Sequence, residues 1–248
     1  MEGGKLPILG RQGGKYKLYK KIIPKFPDNY ENYTYVEPFI GGGSIFFNKE
    51  PSHKEVINDL DKNIYLLLKT VKNNHVAFEN RVNGEYNQKD FNEIKAFKPT
   101  TDMGKLVRFF LLTRLSFLGA STVFRTTEGK IRTIDMDFSE QAERLKHTTI
   151  LNKDYAKVIA EYDSPDTFFY LDPPYEGSSK STSEYEDINL EELRNILLNI
   201  KGKFLMSLNN SQTTRKLFNV FHVSKITTKY CLTTERSKTI YELLISNY

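Results

Sequence analysis

The sequence predicts an α/β fold: a doubly wound, mostly parallel sheet interrupted by an inserted subdomain of helices and a hairpin. Three observations predict it. Short β-prone runs alternate with helical segments toward both ends of the chain, and a glycine-rich turn follows the first of those runs. The alternation then lapses between about residues 72 and 141. The expected strands are Tyr33–Val36, Glu55–Asn58, Thr149–Leu151, Thr167–Leu171, Lys203–Ser207, His222–Thr228 and Ile240–Ile245. On this pattern residues 1–71 and 142–248 form the sheet domain, and 72–141 form the insert.

Near the N-terminus, Lys15-Tyr16-Lys17-Leu18-Tyr19-Lys20-Lys21 mixes cations with aromatics, a composition fit for stacking and phosphate contact. Leu18, Ile22 and Ile23 share a helical face, however, which makes the lysines the wet side of an amphipathic helix. The first strand runs into Glu37-Pro38-Phe39-Ile40-Gly41-Gly42-Gly43-Ser44-Ile45-Phe46-Phe47, read as a loop and then a helix. Glycines let the backbone approach a ligand closely, and a helix N-terminus presents unpaired N–H groups. Dinucleotide-binding folds use a similar turn, so the turn alone does not choose the ligand. The second strand ends in Asp59, whose carboxylate can take both hydroxyls of a ribose. In isolation it can equally cap the helix that starts near Lys62; its spacing after the glycine loop favours the ribose.

The insert reads as helices over Phe91–Phe97 and Gly104–Phe117, then a hairpin over Thr122–Arg132 with Glu128-Gly129 in its turn. Arg108, Arg114, Arg125, Lys130 and Arg132 suit phosphate contacts, and an arginine can also read a guanine edge. Each one singly can be explained as a solvated surface; the set points to nucleic acid.

The run Thr167–Leu171 leads directly into Asp172-Pro173-Pro174-Tyr175, and this placement carries the chemistry. An exocyclic amino nitrogen of a nucleobase is a poor nucleophile, because its lone pair is delocalised into the ring. Two acceptors aimed at its N–H bonds steer that pair outward as positive charge develops. Asp172 supplies a carboxylate and Pro173 a carbonyl. The proline pair removes two backbone donors and keeps the segment extended. Tyr175 offers a flat face for an extruded base. After it, residues 176–185 are small and polar, read as a segment that orders over a substrate or as an exposed linker to the helix Leu190–Leu198. Asn209-Asn210-Ser211-Gln212 lies at another carboxyl strand end, facing the cleft or simply capping a helix. Glu235-Arg236-Ser237-Lys238-Thr239, between the last two strands, reads equally as a DNA-backbone contact through Arg236 and Lys238 or as a charged turn.

Composition narrows the class. The 248 residues are enough for a proper core, and 36 Lys+Arg against 31 Asp+Glu leave a net charge of +5, a mild excess that favours an anionic partner. The lone Cys231 excludes an internal disulfide and argues for a reducing compartment. No apolar stretch reaches membrane-spanning length and the start is not a secretory signal, so a cytoplasmic protein without membrane partners is expected. His53, His75, His147 and His222 lack metal-ligand spacing, and no metal site is assigned.

Taken together, these motifs resemble the Dam family of DNA adenine-N6 methyltransferases over nearly the whole length. Gly10-Arg11-Gln12-Gly13-Gly14-Lys15 resembles the family's first cofactor motif, with Arg11 where an aromatic is usual. Glu37-Pro38-Phe39 with Gly41 to Gly43 resembles its methionine-binding loop, Asp154-Tyr155 the pair that brackets the cofactor's adenine, and Tyr241 to Asn247 its last strand. Thr113-Arg114-Leu115-Ser116-Phe117-Leu118-Gly119 resembles the family's Asn-Arg-x-x-Phe-Asn-Gly, with Thr113 and Leu118 replacing the asparagines that read base edges.

The resemblance implies a Rossmann-like sheet that binds S-adenosylmethionine through Arg11, Gly13, Lys15, Glu37, Pro38, Phe39, Gly41, Gly43, Asp59, Asp154, Tyr155 and Asp172. It implies a target-recognition subdomain in the insert and double-stranded DNA as substrate. A monomer and a companion restriction endonuclease fit the same family. The mechanism expected is direct methyl transfer to a flipped adenine, with Asp172, Pro173, Pro174 and Tyr175 as the catalytic loop. Rival readings are the same mechanism on cytosine-N4, RNA adenine or a protein amide, an inactive DNA-binding homologue, and a dinucleotide-dependent oxidoreductase.

Overall fold

The computed structural model describes residues 7–9, 15–116, 121, 123–125, 130–174, 188–231 and 237–248, with the backbone alone at 17, 228–231 and 237–240. In chain order the strands are β1 (Thr34–Glu37), β2 (Lys54–Asn58), β3 (Gly84–Tyr86), β4 (Arg132–Ile134), β5 (Thr149–Leu151), β6 (Thr167–Leu171), β7 (Lys203–Asn209), β8 (His222–Cys231) and β9 (Ser237–Ser246). Seven of them build one sheet in the order β5-β2-β1-β6-β7-β9-β8. The pairs from β5 through β7 are parallel, and β9 runs antiparallel to both β7 and β8. From β1 the chain winds outward through β2 and β5, then returns to pair β6 on the other side of β1. That reversal opens a crevice at the carboxyl ends of β1 and β6, where open α/β sheets bind their ligands.

The α-helices are α1 (Tyr19–Ile22), α2 (Lys62–Val82), α3 (Gln88–Ala96), α4 (Asp102–Leu115), α5 (Ser139–Leu145), α6 (Tyr155–Tyr162), α7 (Leu190–Leu198) and α8 (Gln212–Leu217). All five residues of β6 are buried, because the sheet is covered on both sides. Tyr35, Phe168, Tyr170, Leu205 and Leu244 face one core, shared with α1, α2, α4 and α5. Their chain neighbours Val36, Phe169, Leu171, Phe204, Met206, Leu243 and Ile245 face the other, with Val158 and Ile159 of α6 and Leu190, Leu193 and Leu197 of α7. This strict alternation pins the strand register, since a slip of one residue would exchange the two cores.

Several expectations change in detail. The helix read after the glycine loop is a single turn, closed by Phe47 N–H to the Gly43 carbonyl at 3.0 Å and Lys49 N–H to Ile45 at 3.0 Å. Ile45, Phe46 and Phe47 are all buried, so no wet face exists for a longer helix, and Pro51 disfavours helical backbone at Glu50. The hairpin read over Thr122–Arg132 does not pair with itself among the described residues. Phe124 bridges to Ser116, and Arg132 pairs with Tyr86 in a separate two-stranded sheet. The partner strand of Arg132 lies far away in sequence, and the turn residues Glu128 and Gly129 of the expected hairpin lie outside the described residues. Finally, α2 runs through the expected boundary at residue 72 and is non-helical inside only at Asn74.

Candidate active site

β6 delivers Asp172 to the crevice with its side chain one-fifth exposed. Pro173, which follows, is buried. The Asp172 carboxylate is held from two sides. Lys15 Nζ lies 2.8 Å from Oδ1, and the Ser207 hydroxyl on β7 donates to the same oxygen at 3.0 Å. Lys15 is only 3 % exposed and also stands 3.7 Å from Glu242 on β9. The lysine that precedes the amphipathic helix, expected to touch the cofactor, is therefore buried. Lys20 and Lys21 are the exposed ones, and Leu18 and Ile22 are buried beneath them.

Glu37, at the end of β1, is buried beside this cluster and accepts a hydrogen bond from the Tyr35 hydroxyl at 2.5 Å. Burial pushes its carboxyl up to about 8; the Tyr35 bond opposes this, and the nearby Asp172 charge adds to it. Burial likewise raises the phenol of Tyr170 well above its ordinary value, followed by the charge of Asp172.

The glycine loop is locked from outside. Gly41 and Gly43 have φ of +49° and +74°, the left-handed region that side chains avoid. A Cβ on Gly42 would sit 2.3 Å from the Leu9 carbonyl oxygen, and Ile8 N–H bonds the Gly42 carbonyl at 3.0 Å. Asp59 holds the same loop: Oδ2 accepts Gly41 N–H at 2.8 Å and Oδ1 accepts Asp61 N–H at 2.9 Å. The helix cap that Asp59 was an alternative for belongs to Asp61, which accepts Asn63 N–H at 2.8 Å.

Asp154 caps α6 through Ala156 N–H at 2.9 Å. Tyr155 packs its ring 5.3 Å from that of Phe39, so the loops after β1 and β5 meet. Burial, then the charges of Glu192 and Asp154, raise the Tyr155 phenol to about 12.

Asn58, a residue given no role from sequence, ties these loops together. Its side chain donates to the carbonyls of Pro38 and Lys153, both at 2.9 Å, and accepts Lys153 N–H at 2.8 Å. Ser207 was likewise passed over as a strand end. In both cases the available signal was a polar side chain closing or interrupting an apolar strand run. Ser211 caps α8 through Thr214 N–H at 3.0 Å, so that segment contains a helix start.

In the insert, Arg114 at the end of α4, Arg125 and Arg132 on β4 lie close enough to oppose one another's charge. Burial, then Arg132 and Arg125, lower the Arg114 guanidinium from its ordinary value. Burial, then Arg125, likewise lowers Arg132, where Nε is buried without an acceptor. Arg114 Nη2 meets the Met136 sulfur at 3.4 Å. Among the described residues no carboxylate forms an ion pair with any of these three. Arg108, by contrast, is committed to the carbonyls of Ile94 and Lys95 at 3.1 and 2.7 Å. Lys130 is exposed. Thr113, in place of a base-reading asparagine, returns its hydroxyl to the Phe109 carbonyl at 2.9 Å.

Arg11, Gly13, Tyr175, residues 176–185 and Arg236 lie outside the described residues, as does the side chain of Lys238. Among the described residues no group of three or more His, Cys, Asp or Glu is arranged to hold a metal ion, and no helix is long and apolar enough to cross a membrane.

Comparison with known proteins agrees with this geometry. A family model described as D12 class N6 adenine-specific DNA methyltransferase matches residues 12–232. The type II methyltransferase M.MjaIII of Methanocaldococcus jannaschii is 27% identical, covering 98% of this chain and 99% of its own. M.CviBI, a type II methyltransferase of Paramecium bursaria Chlorella virus NC1A, is 25% identical over 90% of each chain. A DNA adenine methylase of Vibrio cholerae serotype O1 is 30% identical over 66% of this chain and 62% of its own.

Proposed function

The chain belongs to the D12 class of N6 adenine-specific DNA methyltransferases, and from that premise we propose how its residues divide the work. The observation that carries the assignment is Asp172 at the carboxyl end of β6, beside the sheet's switch point, with its carboxylate gripped by Lys15 and Ser207 and the Pro173 carbonyl immediately after it. Asp172 and that carbonyl accept the two N–H bonds of the target adenine's amino group. Being held before substrate arrives, they stabilise the charge that develops on nitrogen without reorganising. Tyr175 stacks against the base once it leaves the duplex.

The crevice fits S-adenosylmethionine. Asp172 and Glu242 share the single ammonium of Lys15, so the pocket carries one more carboxylate than ammonium for a ligand with a sulfonium and an amino group. The crowding of Gly42 against Leu9 keeps the loop narrow enough for backbone to approach that ligand. When bound, the cofactor supplies an electrophilic methyl group. Lys15, the loop from Glu37 to Gly43, Asp59, Asp154 and Tyr155 hold it, with Arg11 and Gly13 completing the N-terminal side. Asp59 serves the ribose, and its bond to Gly41 keeps ribose and methionine sites at a fixed separation.

The insert, residues 72–141, is the target-recognition subdomain for double-stranded DNA. Arg114, Arg125 and Arg132 supply charge that lacks a carboxylate partner among the described residues, and Lys130, Arg236 and Lys238 add backbone contacts. The protein acts as an intracellular monomer, and a companion restriction endonuclease is consistent with the type II names of its relatives.

The test is transfer of labelled methyl from S-adenosylmethionine to unmethylated duplex DNA, followed by digestion to nucleosides and mass spectrometry. N6-methyladenine is the expected product. N4-methylcytosine, or label appearing only in RNA, would overturn the substrate assignment.

A further inference from the structure

Ser207 lies on β7 one residue beyond the pair that Leu171 makes with Met206, and it is fully buried within the apolar run Phe204 to Leu208. A hydroxyl in that position costs stability unless it is bonded. Its oxygen is 3.0 Å from Asp172 Oδ1 and 3.0 Å from the hydroxyl of Tyr170, itself fully buried. The direction of both bonds follows from the chemistry. A carboxylate only accepts, so the single hydroxyl proton of Ser207 is committed to Asp172, and Tyr170 must donate to Ser207.

Among the described residues, both partners of the Asp172 carboxylate, Lys15 and Ser207, fall on Oδ1. Lys15 alone cannot set the plane of the carboxyl group. Its ammonium is a point charge with rotatable donors, and it is shared with Glu242. A hydroxyl held in turn by a second hydroxyl is directional.

Resting on the function proposed above, we infer that Tyr170 and Ser207 are positioning residues for methyl transfer. They form a buried hydroxyl relay that fixes Asp172 through Oδ1 and so presents Oδ2 to the amino group of the target base.

The experiment is steady-state methyl transfer into duplex DNA by the full chain, with the thermal midpoint of every variant recorded. Ser207→Ala should lower kcat about tenfold, the scale of one hydrogen bond to a charged group, while KM for S-adenosylmethionine and for DNA stay within about twofold. Tyr170→Phe should lower kcat roughly threefold, and the double variant should be no slower than Ser207→Ala, because the two hydroxyls act in series. Ser207→Thr, which restores the hydroxyl, should recover most of the rate. If Ser207→Ala does not fold, Ser207→Cys carries the same prediction with a weak donor of similar size. An unchanged kcat, a loss that appears in KM instead, or losses that multiply in the double variant would each overturn the relay. Wild-type protein that transfers no methyl would overturn the underlying function and the relay with it.

Discussion

The protein treats buried charge in two opposite ways at its two working surfaces. At the carboxyl edge of the sheet, Lys15 is buried against Asp172 and Glu242, and the acceptor is locked before any substrate arrives. In the insert, three arginines share a small space, and the guanidinium of Arg114 meets a methionine sulfur. A third cluster shows that this is not how the molecule handles arginine in general. Arg144, beneath the sheet, grips Glu55 with both terminal nitrogens, Lys49 adds a contact to Glu55 at 2.6 Å, and the Arg144 guanidinium lies 4.0 Å above the Phe46 ring. This structural arginine has its charge paired with a carboxylate, although its Nε, like that of Arg132, is buried without an acceptor. Among the described residues Arg114, Arg125 and Arg132 have no carboxylate partner, so their mutual repulsion costs stability that a bound anion would recover. Under the proposed function, one region is organised for chemistry in advance, and the other would hold its charge for a polyanionic partner.

The largest effect should come from the prepared region. Asp172→Ala is expected to lower methyl transfer at least about a thousandfold, because it removes a preorganised acceptor of transition-state charge. Single-turnover rates would read this. A variant that turns over normally while folded would remove Asp172 from the chemistry altogether.

The contrast between paired and unpaired arginines can be broken directly. Arg144→Ala should destabilise the fold by about 3 kcal/mol, since Glu55 stays buried with Lys49 as its one remaining cation among the described residues, and DNA affinity per folded molecule should hold. Arg132→Ala should do the reverse. The thermal midpoint is kept or rises as repulsion is relieved, while DNA binding weakens and the slope of log affinity against log salt falls by about 1. If both variants act only on stability, the insert's charge serves no partner.

A smaller effect is expected at the loop joining these functions. In Gly42→Ala the new methyl meets the Leu9 carbonyl oxygen at 2.3 Å, a backbone atom that must move. KM for S-adenosylmethionine should rise by about tenfold with kcat less affected, because binding geometry is lost before the acceptor is. Calorimetry with the cofactor alone would separate this from a DNA effect.

How far these features could be read from sequence follows the same division. The parallel strands were legible because each is a short apolar run bounded by turn residues, and Thr149–Leu151 and Thr167–Leu171 coincide with β5 and β6. The Asp172 loop was legible because its residues are contiguous. The network behind it was not. Lys15, Ser207 and Glu242 come from three distant segments and meet only when β7 and β9 pair and the N-terminal segment folds over them. In the insert long-range pairing goes beyond what local signals announce: Thr122–Arg132 has the composition of a hairpin, and Arg132 pairs with Tyr86, which nothing local predicts. Asp59 and Asp61 illustrate a finer limit. Two acids two residues apart offered one cap, and only the backbone geometry assigned it to Asp61.

The smallest effect is a dependence on pH, and its sign separates the two regions once more. Glu37 has its carboxyl raised from the ordinary 4.5 to about 8, chiefly by burial. A raised value in the folded state means that the native protein holds a proton the unfolded chain has already lost. The stability this contributes is complete below 4.5 and is lost as pH rises through about 8. The thermal midpoint should therefore fall across that interval, and Glu37→Gln, which keeps the shape without the ionisation, should flatten the fall. Saturating S-adenosylmethionine should flatten it too, because a cation in the crevice offsets the cost of ionising Glu37. Among the described residues no group titrating in this range shifts Arg114 or Arg132, so Arg132→Ala should leave the slope unchanged. A midpoint that rises with pH, or a slope that Glu37→Gln leaves intact, would place the buried proton on another group.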